Sequence, residues 1–157
     1  MNILKTMLEH GYYSVHDGFD TWEEAVRASV QPLVDCGAVK PAYADSIVNC
    51  VKKFGPYIVI APNIALPHAE DKGNVNETTI CYMKSNRPVS FSDDPEQDAR
   101  LFFVLASNDE QKHLTNLKAL MKLLMQEDVV QQLLDAQTVE EFRSIAAGAP
   151  ETAPDAD

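Results

Sequence analysis

The chain has 157 residues, 45% of them hydrophobic, and a formal net charge of −11. That suffices for one globular domain with its own core, and it argues against nucleic acid or an anionic membrane surface as a partner. Cys36, Cys50 and Cys81 are odd in number and widely spaced, which suggests neither a disulfide framework nor a thiolate zinc site and suits a reducing cytoplasm.

In chain order, residues 2–10 read as a short helix stopped by Gly11, and 12–15 as a brief strand turned by Asp17-Gly18. Next, Trp22, Ala25, Val26, Ser29, Val30, Leu33 and Val34 recur at helical spacing, with Asp20 as the expected N-cap and Glu23 three residues on. Pro32 should bend that helix or loosen its last turn before Gly37. A third helix is expected over 41–54, with Pro41 in its first turn and Tyr43, Ile47, Cys50, Val51 and Phe54 on its buried face.

Residues 57–61 are apolar enough for a buried strand, after which Pro62 and Pro67 bracket a segment not expected to continue a ladder. Residues 78–84 are β-branched and aromatic, Asn86-Arg87-Pro88 can turn, and Val89-Ser90-Phe91 alternates, so a hairpin-like pair is predicted. The run 101–105 is apolar on both faces and reads as a central strand. A helix start follows at Ser107-Asn108-Asp109-Glu110, with Leu114, Leu117, Leu120, Met121 and Leu124 as its apolar stripe. Two further helices are expected at about 128–136 and, capped by Thr138 with Glu141, at 139–147. Residues 148–157 are acidic and proline-containing and read as a disordered tail. Together these predict an α/β sandwich: a central mixed sheet of four or five strands flanked by helices. The N-terminus lacks a signal-peptide core and no apolar run approaches about 18 residues, so no membrane insertion is expected.

His68 is the candidate reactive group. Pro67 before it has a fixed φ and no N–H, which limits the directions the imidazole can take. A neutral imidazole nitrogen is a good nucleophile near pH 7, and phosphoryl transfer asks for little more than that plus stabilisation of three equatorial oxygens. An ordinary loop histidine caps a turn or bonds a carbonyl, so the surroundings must decide. His113, in the first turn of a helix, could face an anion beside the helix's unpaired N–H groups, or could simply be solvated. Lys52 and Lys53 could supply cationic stabilisation, or merely complement a helix C-terminus. Glu70 and Asp71 could orient the His68 ring, or be solvated loop carboxylates; His10 and His16 read as helix-end and turn residues. No G-x-x-x-x-G-K-S/T, G-x-G-x-x-G or G-x-S-x-G occurs, nor H-E-x-x-H or EF-hand spacing, so no nucleotide, cofactor or metal is expected.

Phe54-Gly55-Pro56-Tyr57, Ala61-Pro62 and Ile64-Ala65-Leu66-Pro67-His68 resemble the IIA component (EIIA) of bacterial phosphotransferase-system sugar transporters, mannitol and fructose class. In its extended form the motif is similar to the ascorbate-type EIIA proteins, and the resemblance spans residues 1–147. It implies that His68 is phosphorylated on Nε2 and that His113 hydrogen-bonds the phosphoryl group without carrying it. Mannitol-type members have an arginine near the position of Lys52; a lysine there cannot make a bidentate clamp. The resemblance further implies a phosphoryl donor, HPr; an acceptor cysteine on a cognate EIIB; a separate membrane component, EIIC; and L-ascorbate as the imported sugar. Two other classes compete: a regulatory module of the nitrogen type, in which phosphorylation of the same histidine controls protein binding, and a small-molecule binding domain in which the histidine is inert.

Overall fold

The run 101–105 lies in the middle of a five-stranded sheet in the computed structural model, which describes residues 2–149. In chain order the elements are α1 (Ile3–His10), β1 (Tyr13–His16), α2 (Trp22–Asp35), α3 (Ala42–Phe54), β2 (Val59–Ala61), β3 (Asn63–Ala65), β4 (Thr79–Ser90), β5 (Asp98–Ala106), α4 (Glu110–Leu124), α5 (Glu127–Asp135) and α6 (Val139–Gly148). Strand order across the sheet is β1-β4-β5-β3-β2. The β1–β4 and β3–β5 pairs are parallel, and the β4–β5 and β2–β3 pairs antiparallel, so the sheet is mixed as predicted.

Residues 101–106 of β5 are buried on both faces because each face is covered. Side chains alternate across a strand. Phe102 accordingly meets Phe91, which in turn meets Trp22 of α2, whereas Phe103 meets Tyr82, which stacks on Phe142 of α6. Phe102 and Phe103 are both fully buried, and burial of each is worth about 1.5–3 kcal/mol relative to exposure. The helices divide to match: α2 packs on α3 and on the sheet, while α1, α4, α5 and α6 pack among themselves and against β4 and β5.

Several local expectations change. The cap of α2 is Thr21, not Asp20: Thr21 has extended backbone (φ −135, ψ 155), and its hydroxyl accepts the Glu24 amide at 3.2 Å. Phe54 is not on the buried face of α3 but 67% exposed, and Ala44 and Val48 are buried there instead. The stretch expected to be a buried strand over 57–61 forms only the short edge strand β2, with Ile60 turned to solvent. The segment between Pro62 and Pro67 does join the sheet: Pro62 and Asn63 make a tight bend, Asn63 adopting a left-handed backbone (φ 73) that asparagine tolerates, and β3 then pairs with β5. Residues 78–91 do not fold back on themselves. They form one long strand, β4, with a bulge between Lys84 and Val89 that places proline where no ladder N–H is needed. Arg87 in that bulge donates its amide to the Asp17 carbonyl at 2.8 Å, so the local turn signal is spent on docking the loop after β1. Helix α6 extends through Gly148, and Ala149 is buried; the rest of the expected tail, 150–157, lies outside the described residues.

Candidate active site

His68 sits just past the end of β3. The ladder between β3 and β5 persists to Pro67, whose carbonyl accepts the Leu105 amide at 3.0 Å, and His68 is the first residue beyond it. His113 lies beyond the end of the neighbouring strand: β5 finishes at Ala106, and α4 begins at Glu110. Because β3 and β5 are adjacent and parallel, their C-terminal ends open on the same edge of the sheet, the usual place for a site in an α/β sheet. That topology brings the two histidines to line one depression of about 630 Å³, together with Tyr43, Ala69, Glu70, Asp71, Lys72, Leu105, Ser107 and Glu110. A second depression of about 440 Å³ is lined by Cys50, Phe54, Tyr57, His68, Ala69 and Glu70. His68, Ala69 and Glu70 are thus common to the linings of both hollows.

The ring of His68 is oriented by backbone. Its Nδ1 lies 2.5 Å from the Leu66 carbonyl oxygen, which can only accept, so Nδ1 carries the proton and Nε2 keeps its lone pair. Tyr57 packs edge-on against the ring, with centroids 5.2 Å apart, and donates its hydroxyl to the His68 carbonyl. Burial, then the neighbouring Cys50, pushes the Tyr57 phenol upward, so it stays a donor at neutral pH. Gly55, whose φ of 85 lies in the region that favours glycine, turns the chain out of α3 toward Tyr57 and thereby sets this contact.

Tyr43 holds the loop from below. Its hydroxyl donates to the Leu105 carbonyl at 2.6 Å and accepts the Ala69 amide at 3.3 Å, tying the residue after His68 to the end of β5. Burial pushes the Tyr43 phenol up to about 12. Tyr43→Phe leaves the buried Leu105 carbonyl without that donor and is expected to cost about 1–3 kcal/mol of stability, measured as a lowered urea midpoint at unchanged m-value.

Of the carboxylates after His68, Asp71 does not orient the ring. It accepts from the Ser46 hydroxyl at 2.5 Å and from Asn74 Nδ2 at 2.7 Å, hydrogen bonds that hold it below the usual carboxylate range and fasten the loop to α3. The start of α4 is also occupied. Asp109 Oδ1 accepts the Gln111 and Lys112 amides at 2.9 and 3.2 Å, and the His113 amide bonds the Asp109 carbonyl at 3.0 Å. The His113 ring, rather than free N–H groups of that turn, is thus what this helix offers an anion. Burial first, and then the neighbouring His68, lower the His113 pKa, so it is neutral at pH 7 with one N–H to donate. Lys52 is exposed in the last turn of α3 and lines neither hollow, and the Lys53 ammonium lies 5.1 Å from the Phe54 ring centroid. Tyr43 and Lys72 carry no local signal of a site: the first reads as one more apolar position of α3, the second as loop polarity.

The profile of the family described as phosphoenolpyruvate-dependent sugar phosphotransferase system, EIIA 2, matches residues 7–147. The chain belongs to that EIIA family. An ascorbate-specific EIIA component from Mycoplasma pneumoniae is 34% identical to this EIIA chain over 128 residues, 81% of this chain and 80% of that one. The ascorbate-specific EIIA component from Escherichia coli K12 is 30% identical over 113 residues, 72% of this chain and 73% of its own length. Among solved structures, a IIA domain from Streptococcus pyogenes superposes with TM-score 0.79 at 32% identity, covering 94% of this EIIA and 95% of that chain. The Escherichia coli IIA component in complex with phosphorylated mannitol IIB superposes with TM-score 0.72 at 25% identity, covering 88% and 95%. Membership supports a phosphoryl-transfer role for this EIIA. None of its helices, among the described residues, is long and apolar enough to cross a membrane.

Proposed function

We propose that the chain is a phosphoryl carrier in which His68 Nε2 takes a phosphoryl group from the phosphohistidine of HPr and passes it to a cysteine of a cognate EIIB, in a system that imports L-ascorbate through a separate EIIC. The observation that carries this reading is the bond from Nδ1 to the Leu66 carbonyl, which leaves Nε2 as the available nucleophile in a residue that lines two surface hollows. In the transfer, the Nε2 lone pair forms the new N–P bond while the donor's N–P bond breaks and its electrons stay on the donor ring. The proton on His68 Nδ1 stays against the Leu66 carbonyl. The neutral His113 ring donates its N–H to a phosphoryl oxygen and so favours the charge that gathers there. No cofactor takes part, since two protein surfaces supply donor, acceptor and alignment.

The surface around His68 suits two successive protein partners. Ile58, Ile64 and Leu66 are core, but Phe54 and Tyr57, which line the second hollow with His68, are exposed apolar side chains; Ile60 on β2 and Leu114, one residue after His113, are exposed as well. Exposed aromatic and aliphatic residues at a concave rim are typical of a docking face. The ascorbate-specific names of the relatives support the sugar, and the mannitol IIA–IIB complex supports the EIIB partner.

The test is incubation with phosphoenolpyruvate, enzyme I and HPr, then with the cognate EIIB and EIIC in vesicles. One phosphoryl group, lost in mild acid, is expected on the chain, followed by its appearance on EIIB and by phosphorylation of L-ascorbate in preference to mannitol. An acid-stable label, or a labelled chain that never passes its phosphoryl group to any EIIB, would count against the transport reading.

A further inference from the structure

We infer that Lys72 is the cation that binds the phosphoryl group carried by His68, an inference that rests on the phosphoryl-carrier reading above. A phosphoryl group on Nε2 would enter a hollow already lined by three carboxylates, Glu70, Asp71 and Glu110. Asp71 is fixed as the anion by Ser46 and Asn74, so it cannot be relieved by protonation near neutral pH. His113, whose pKa burial and the neighbouring His68 lower in the unphosphorylated chain, brings one N–H to this hollow. A charge-bearing donor in the same hollow would offset this crowding of negative charge and favour the phosphorylated state.

Lys72 is the ammonium among the residues lining the hollow. Its backbone is held in a single 3-10 turn, Lys72–Asn74, whose ends are bonded by Asn74 N to the Asp71 carbonyl and Val75 N to the Lys72 carbonyl, both at 3.1 Å. Its side chain is only loosely committed. Nζ lies 3.5 Å from Glu110 Oε1, with the two side chains 62% and 90% exposed, and an exposed pair of that kind is worth little. Glu110 is the first residue of α4, one turn before His113, so the resting partner of Lys72 stands on the same rim as the ring that faces the phosphoryl group. A lysine ammonium is a compact charge with three rotatable donors on a flexible stem. It can turn from the carboxylate to a phosphoryl oxygen, or bridge the two, with no change in its own protonation and no rearrangement of the loop. Lys52, the residue aligned by resemblance with the mannitol-type arginine, lies outside the lining of this hollow.

The experiment uses two donors, phospho-HPr and phosphoramidate. The second is a small molecule whose P–N bond breaks with release of ammonia when an imidazole nitrogen attacks, so it tests the phosphoryl contact without protein docking. Acid-labile mass gain is followed in time for the intact chain, Lys72→Gln, Lys72→Arg and Lys52→Gln. Lys72→Gln is expected to be roughly 10- to 100-fold slower with both donors, with Lys72→Arg recovering most of the rate, because the charge rather than the shape is missing. Equal rates for Lys72→Gln and the intact chain, a loss confined to phospho-HPr, or a larger loss in Lys52→Gln would overturn the assignment while leaving the carrier reading intact. An intact chain that neither donor labels overturns the carrier reading itself, and the role of Lys72 with it.

Discussion

His68→Ala is expected to take up no phosphoryl group from phosphoenolpyruvate, enzyme I and HPr, whereas His113→Ala should be labelled at a rate reduced by about 10²–10³-fold. The two losses differ in kind because the two rings do different work. On the proposed reading His68 supplies the bond-forming nitrogen, so its loss removes the nucleophile altogether; among the residues lining the two hollows the other imidazole is His113. On the same reading His113 donates one hydrogen bond to charge that builds up in transfer, so its loss should slow the step without abolishing it. Both variants should unfold in urea near the midpoint of the intact chain, since both rings are only partly buried and neither belongs to the core. Mass spectrometry before and after mild acid reads the outcome. A label that survives His68→Ala would refute the assignment of the nucleophile.

Lys84→Ala is expected to lose about 2–4 kcal/mol of stability while leaving the phosphorylation rate of the folded protein unchanged. Lys84 lies on β4, fully buried. Its Nζ donates to the carbonyls of Leu134 and Ala136 at 2.7 and 2.8 Å, two of the acceptors that the end of α5 leaves unpaired, and Arg100 Nη2 reaches the Leu134 carbonyl at 3.0 Å. Truncation opens a cavity and removes the donor from the Ala136 carbonyl together. Lys84→Met keeps most of the volume and should cost less, about 1–3 kcal/mol.

The same lysine makes stability depend on alkaline pH. Burial, and then the charge of Arg100, lower its pKa from the ordinary 10.5 to about 8. Between those values the unfolded chain holds the proton and the folded chain has released it, so stability rises as pH climbs from about 8 toward 10, by up to about 2–3 kcal/mol. Below pH 8 both states are protonated and the slope from this group vanishes. Burial raises the Cys81 thiol and the Tyr12, Tyr43, Tyr57 and Tyr82 phenols, which lowers stability as pH rises past about 9, so the contribution of Lys84 is read as a difference: across that range the urea midpoint of Lys84→Met should fall relative to that of the intact chain.

How far the chain could be read without its fold differs from element to element. The helix ends were plain where a side chain caps its own turn, as Asp109 and Thr138 do, since that bond is local. The cap of α2 was misplaced by one residue because Asp20 and Thr21 are both capable and only backbone geometry chooses between them. The bend at Pro88 read as a reversal because a proline and a polar triplet look alike in a turn and in a bulge. What decides is whether the strand on either side has a partner, and β1 and β5 supply one. Lys84 closes a run of strand formers, and its burial depends on the end of α5, fifty residues away in the chain.

The amino-acid order by itself determined the mixed α/β architecture, the two histidines and the family, because periodicity, capping and a contiguous motif are properties of neighbouring residues. The tertiary structure alone decided that His68 and His113 share a hollow, that Leu66 leaves Nε2 free, that Tyr43 and Tyr57 hold the loop, and that Lys72 rather than Lys52 lines the hollow with them. Those relations join residues up to 62 positions apart through hydrogen bonds and one strand crossover. Such contacts exist only once β3 and β5 lie side by side, and no local pattern encodes which strands will do so.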